Sequence, residues 1–105
     1  MLQFQQQNYA DAAKHLARSV DLGLSDAKLF NFLGIAYSRT NRQQKAIESY
    51  RKSIQIDPEL AEAHLNLGYA YEELHNLGLA RQEYQQACRL RVEFCQLVKD
   101  RKTIN

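Results

Sequence analysis

Three histidines, two cysteines and one pair of adjacent glutamates are the residues best able to do chemistry here, and their spacing argues against most of it. His15, His64 and His75 fall in separate segments, and none belongs to a His-Glu-x-x-His pair that would place two imidazoles on one helical face for a metal. Glu72 and Glu73 are neighbours in the chain. On a helix they point about 100° apart, so they do not form the facing carboxylates of acid–base hydrolysis. The four glycines are isolated, so no run of backbone amides is available to cradle a phosphate, and no Gly-x-Ser-x-Gly elbow occurs. Cys88 and Cys95 stand seven residues apart. On one continuous helix that spacing is about 10 Å along the axis, beyond the roughly 7 Å that a disulfide tolerates. Without a histidine at ligand spacing they also make a poor zinc site. They are expected as small apolar fillers of a helix face, and unpaired thiols favour a reducing, cytoplasmic setting. The expectation is a protein that is not an enzyme and holds no metal or cofactor.

The elements that must position these residues are helical. The chain has 105 residues, enough for one modest core, with 45% apolar and 25% charged residues. Only four glycines and one proline are present, too few for the many turns of a strand-rich fold. Six tyrosines and four phenylalanines supply large side chains for helix interfaces. No apolar run is long enough to cross a membrane, and no basic start precedes an apolar stretch, so neither a span nor a secretory signal is expected. The net charge of +2 is too small to imply nucleic acid. Arg89, Arg91, Lys99, Arg101 and Lys102 gather near the end, but Glu93 and Asp100 interrupt them, the pattern of a solvated helix face.

A repeat organises the chain. Residues 27–60 laid over 61–94 give a period of 34, with identities that include Ala27/Ala61, Leu33/Leu67, Gly34/Gly68, Ala36/Ala70, Tyr37/Tyr71, Ala46/Ala80 and Tyr50/Tyr84. Leu, Gly and Tyr lie on one stripe of a first helix, and Ala and Tyr, four apart, lie on one stripe of a second. Glycine inside a helix costs about 1 kcal/mol against alanine and is tolerated where a neighbour must come close to the backbone. Small against large is the packing of an antiparallel helix pair. Ser25 or Asp26 is placed to cap the first helix. Thr40-Asn41-Arg42 and His75-Asn76 read as the turns within the two hairpins. Asp57-Pro58 reads as the end of one unit and the capped start of the next.

Leu-Gly-x-x-Tyr, Ala-x-x-x-Tyr and Asp-Pro at a period of 34 resemble the tetratricopeptide repeat. The resemblance implies an all-α fold of antiparallel helical hairpins stacked as a right-handed α-solenoid, and a role in holding another protein or peptide. It divides the chain into a partial repeat over 1–26, full repeats over 27–60 and 61–94, and a C-terminal helical extension or cap over 92–105. In the partial repeat, Asn8 to Leu16 resembles a second helix with Ala12 and Leu16 in the Ala and Tyr slots, and Leu2 and Phe4 are left as the end of the helix before it. Two departures stand out: His64 replaces the large aromatic found at Phe30, and Val92 replaces Pro58. Because valine does not stop a helix, one helix is expected to run from about Leu79 to Asp100.

The resemblance also places first helices along a concave face. The candidate ligand-binding residues are Lys28, Asn31 and Ile35 in one unit and Glu62, Leu65, Asn66, Tyr69 and Glu73 in the next, with Phe32, Ser38, Arg39 and Glu72 beside them. Members of the family that bind acidic chaperone tails use a clamp of Lys, Asn and Arg on successive first helices. Asn66 matches that clamp, but Asn31 and Ile35 stand where its Lys and Asn would be, and Glu62, Glu72 and Glu73 repel an acidic ligand. A chaperone tail is therefore disfavoured. Phe94, Leu97 and Val98 form a stripe on the last helix that either covers the end of the core or pairs two copies into a homo-oligomer. The expected partner is a protein or peptide, with no membrane and no nucleic acid.

Overall fold

The small–large stripes produce the helices they suggest. The computed structural model describes the backbone of residues 2–99 and the side chains of 6–97. Among the described residues there are six helices and no strand: α1 (Leu2–Asp21), α2 (Ala27–Arg39), α3 (Gln43–Ile56), α4 (Ala61–Glu73), α5 (Leu77–Leu90) and α6 (Glu93–Lys99). Helices α2 and α3 form one hairpin and α4 and α5 the next, stacked side by side in a solenoid.

The seam inside each hairpin explains the repeated residues. Tyr50 of α3 lies over Gly34 of α2, and Tyr84 of α5 lies over Gly68 of α4. A methyl group on Gly68 would come within 2.5 Å of the Tyr84 ring, and one on Gly34 would collide with Tyr50 in the same way. Ala46 and Ala80 are fully buried beside them, which lets the backbones approach. The core forms two neighbouring clusters. One joins α3, α4 and α5 through Tyr50, Leu67, Tyr71 and Tyr84, and the other joins α1 and α2 through Ala13, Phe30 and Leu33. Tyr37 packs against both.

The turns obey backbone chemistry. Asp26 caps α2, its carboxylate accepting from the Lys28 amide at 2.8 Å. Asn41 and His75, one period apart, both adopt φ 62°, the left-handed conformation that ends a helix. Asn76 caps α5.

Three expectations fail. Residues 2–21 form one uninterrupted helix, so Leu2 belongs to α1 rather than to a preceding helix. Asp57 ends α3, but Pro58 does not begin α4. Asp57 instead accepts from the Glu59 amide in a tight turn, and α4 starts at Ala61 behind Leu60, which makes no side-chain cap. The third failure is the continuous last helix. Arg91 adopts an extended conformation (φ −148°, ψ 109°), close to that of Asp57 one period earlier (φ −137°, ψ 93°), and the chain breaks there without a proline. Arg91 is tied across to Glu62 of α4.

That break brings Cys88 and Cys95 side by side, with Cα atoms 4.5 Å apart and the sulfurs bonded. The two cysteines are not unpaired fillers, and a reducing compartment does not follow from them.

Candidate functional site

The first helices α2 and α4 lie next to each other, and a groove of about 460 Å³ opens between them. Ile35, Ser38 and Arg39 of α2 form one wall, and Asn66, Tyr69 and Glu73 of α4 form the other. Asn41 from the turn, with Gln43 and Tyr50 from α3, complete the lining. Ile35 and Tyr69 are half-buried and supply the apolar surface. The Tyr69 ring is held edge-on to Tyr84 at 5.7 Å between centroids, so its position is set by the hairpin seam behind it. Arg39 and Glu73 place opposite charges at the two rims. The Tyr50 hydroxyl is pushed well above its ordinary pKa by burial, against the pull of Arg39, and stays a neutral donor.

One polar group in this wall is unsatisfied. Gln43 donates weakly to the Ser38 hydroxyl at 3.4 Å, and no protein group donates to its buried carbonyl oxygen. An unpaired buried acceptor costs about 1–3 kcal/mol, a cost the fold carries at the base of this groove.

The structure separates the candidate residues. Ile35, Asn66, Tyr69 and Glu73 meet in the groove. Asn31 is buried, and its side-chain oxygen accepts from Asn66 at 3.0 Å, so it positions Asn66 rather than facing a ligand. Leu65 is buried in the core cluster. Lys28 is exposed at the start of α2, and Glu62 is occupied with Arg91. Glu72 accepts from the Tyr84 hydroxyl. Phe94 packs inward against the core cluster under the Arg91 guanidinium, 5.3 Å from its ring centre. Leu97 is exposed, and Val98 lies outside the described side chains. Sequence reasoning missed Asn41, Gln43 and Tyr50, which come from a turn and a second helix. The left-handed turn at Asn41 was legible and could have pointed to the groove mouth.

Two further features lie beside this groove, the first sharing Ile35 with it. An apolar cleft of about 420 Å³ separates α1 from α2, lined by Tyr9, Ala12, His15, Leu16, Phe32, Ile35 and Ala36, with Phe32 56% exposed. His64 is buried between two acceptors, the Glu83 carboxylate at 2.8 Å from Nδ1 and the Pro58 carbonyl at 2.9 Å from Nε2. The bond to Glu83 raises its pKa above the ordinary value, with burial opposing. Among the described residues no three His, Cys, Asp or Glu side chains gather to hold a metal, and no helix is long and apolar enough to cross a membrane.

Comparison with known proteins matches the same repeats. A TPR repeat model matches residues 36–75, and a tetratricopeptide repeat model matches 61–91. The tetratricopeptide repeat domain-containing protein PYG7, chloroplastic, of Arabidopsis thaliana is 29% identical over 82 residues, 74% of this chain and 27% of that protein. The Hsp70-Hsp90 organising protein of Plasmodium falciparum (isolate 3D7) is 32% identical over 89 residues, 60% of this chain and 16% of that protein. The chain thus spans about a quarter or less of these relatives. Among solved structures, the first TPR of Spaghetti (RPAP3) bound to the HSP90 peptide SRMEEVD superposes with a TM-score of 0.86 at 19% identity, covering 96% of this chain and 80% of that one.

Proposed function

Because the chain belongs to the tetratricopeptide repeat family, we propose that it is a non-catalytic scaffold that binds an extended peptide of a partner protein in the groove between α2 and α4. The observation that carries this reading is the composition of the groove. Two half-buried apolar side chains, Ile35 and Tyr69, share the lining with the polar side chains of Asn66 and Gln43 and the opposite charges of Arg39 and Glu73. A peptide lying there would bury an apolar side chain between Ile35 and Tyr69 and exchange hydrogen bonds with Asn66. The partner-peptide binding named for the neighbouring TPR of Spaghetti (RPAP3) supports a peptide ligand in general. It does not extend to the same acidic peptide, because Glu73 lines this groove and Asn31 is already engaged with Asn66. Titration calorimetry with peptides selected from a displayed library tests the reading. Tyr69→Glu and Ile35→Glu are expected to lower affinity at least ten-fold, and unchanged binding in both variants would sink it.

A second reading, self-association through the cleft between α1 and α2, is supported by the apolar lining of that cleft. Ala12 and Leu16 occupy the slots that Ala46 and Tyr50 hold in α3, and Phe32 stands exposed beside them. Light scattering across a concentration series would show a dimer that Phe32→Glu abolishes. A monomer at every concentration excludes it.

A further inference from the structure

We propose that Cys88 and Cys95 form a thiol–disulfide exchange site that clasps α6 onto α5 when oxidised and releases it when reduced. The two cysteines straddle the break at Arg91-Val92, and their Cα atoms stand 4.5 Å apart, within the range a disulfide requires. The repeat sets up this meeting. One period earlier the same positions hold Ile54 at the end of α3 and Ala61 at the start of α4, where the chain turns back in the same way. In this last unit the pair is thiol-bearing, so a packing contact becomes a covalent one.

Both cysteines are half-buried rather than enclosed, so a small thiol can reach the bond. The segment it holds depends on tertiary support. Helix α6 has seven residues, far short of the length at which an isolated helix persists in water. It is seated by Phe94 against the core cluster, by the Arg91 guanidinium over the Phe94 ring, and by the Phe94 and Cys95 amides donating to the Arg91 and Val92 carbonyls at 3.0 Å. The ion pairs that anchor Arg91, to Glu62 and Glu93, lie at half-exposed or exposed side chains and are weak fasteners. The disulfide is the one covalent tie between α5 and α6 beyond the chain itself.

The reacting partner is a low-molecular-weight dithiol or disulfide. In the reducing direction one thiolate of the dithiol attacks a cysteine sulfur, breaking the Cys88–Cys95 bond and forming a mixed disulfide, and the departing cysteine sulfur takes up a proton. The second thiol of the reagent then displaces the remaining cysteine as a thiol. Two electrons and two protons pass to the protein, and the reagent leaves as its cyclic disulfide. A glutathione-type disulfide reverses the process, leaving as two thiols.

The test uses the full chain equilibrated with glutathione disulfide, then treated with a dithiol. Alkylation and intact-mass analysis count free thiols, and hydrogen exchange follows the amides of 91–99. The expected result is no alkylation before reduction and two additions after it. Exchange in 91–99 should rise about ten-fold or more on reduction, with Tm falling by roughly 10 °C. The double variant Cys88→Ser/Cys95→Ser should behave as the reduced protein does and ignore the dithiol. Two alkylated thiols in the oxidised sample, a cross-link between molecules, or exchange in 91–99 that reduction leaves unchanged would overturn the proposal.

Discussion

Early in the first helix of the α2–α3 hairpin the chain places Phe30, 8% exposed; at the same point of α4–α5 it places His64, 7% exposed. The phenylalanine is held by packing alone. The histidine fills the same slot by bonding Glu83 and the Pro58 carbonyl. The margins of the two hairpins differ in the same spirit. Asp26 caps α2, whereas α4 has no side-chain cap. Ser53 of α3 donates to the buried Ala27 carbonyl at 2.6 Å, where α5 has Ala87. After α3 the exit is Asp-Pro, and after α5 it is Arg-Val followed by a disulfide. What does not change is the glycine–tyrosine seam. The seam is a steric requirement that admits one solution, while the margins are hydrogen-bonding requirements that several residues can meet.

This contrast can be broken in order of effect. Tyr50→Ala and Tyr84→Ala should each cost about 3–5 kcal/mol in chemical denaturation, since both rings are buried against a glycine that cannot move in to fill the space. Leu16→Ala, in the same slot of the half-covered α1, should cost roughly 1–2 kcal/mol, because the side chain is only half-buried. Equal losses at Leu16 and Tyr84 would contradict the account. Gly34→Ala and Gly68→Ala should destabilise by about 1–3 kcal/mol each, and to a similar extent, because each methyl meets a buried ring. Ser53→Ala should cost about 1 kcal/mol, removing the buried bond that ties α3 to the start of α2.

His64→Phe sharpens the comparison through pH. The pKa of His64 is raised in the folded protein above its ordinary 6.5, so the protonated form favours folding. That contribution is complete below 6.5 and is lost as pH rises through the folded value. Glu83 across the seam raises the pKa and Arg89 opposes it. Urea melts at successive pH values should therefore show wild-type stability falling relative to His64→Phe as pH climbs above 6.5. A parallel pH dependence in the two proteins would remove His64 from the explanation.

Much of the fold was legible because the seam is written in residue size. Gly34, Tyr50, Gly68 and Tyr84 repeat at 34, and steric fit leaves little freedom in how they meet. The break before α6 was not legible from Val92, a residue that continues helices readily. It was legible from the period, since Arg91 stands where Asp57 ends α3. Had the period been preferred to local propensity, Cys88 and Cys95 would have fallen at the positions of Ile54 and Ala61, within reach of each other. The groove was half legible. Helical spacing selects Ile35, Asn66, Tyr69 and Glu73, but it cannot tell that Asn31 is turned to Asn66 and Leu65 to the core. Nor can it show Gln43, whose place depends on how two hairpins stack.

The most direct test of the central claim is an amide NMR titration of the labelled protein with a library-selected peptide. The account predicts shifts concentrated at Ile35, Ser38, Gln43, Asn66 and Tyr69, including the Gln43 side-chain amide, and their loss in Tyr69→Glu. Shifts confined to the outer faces of α3 and α5, or to the cleft between α1 and α2, would contradict it.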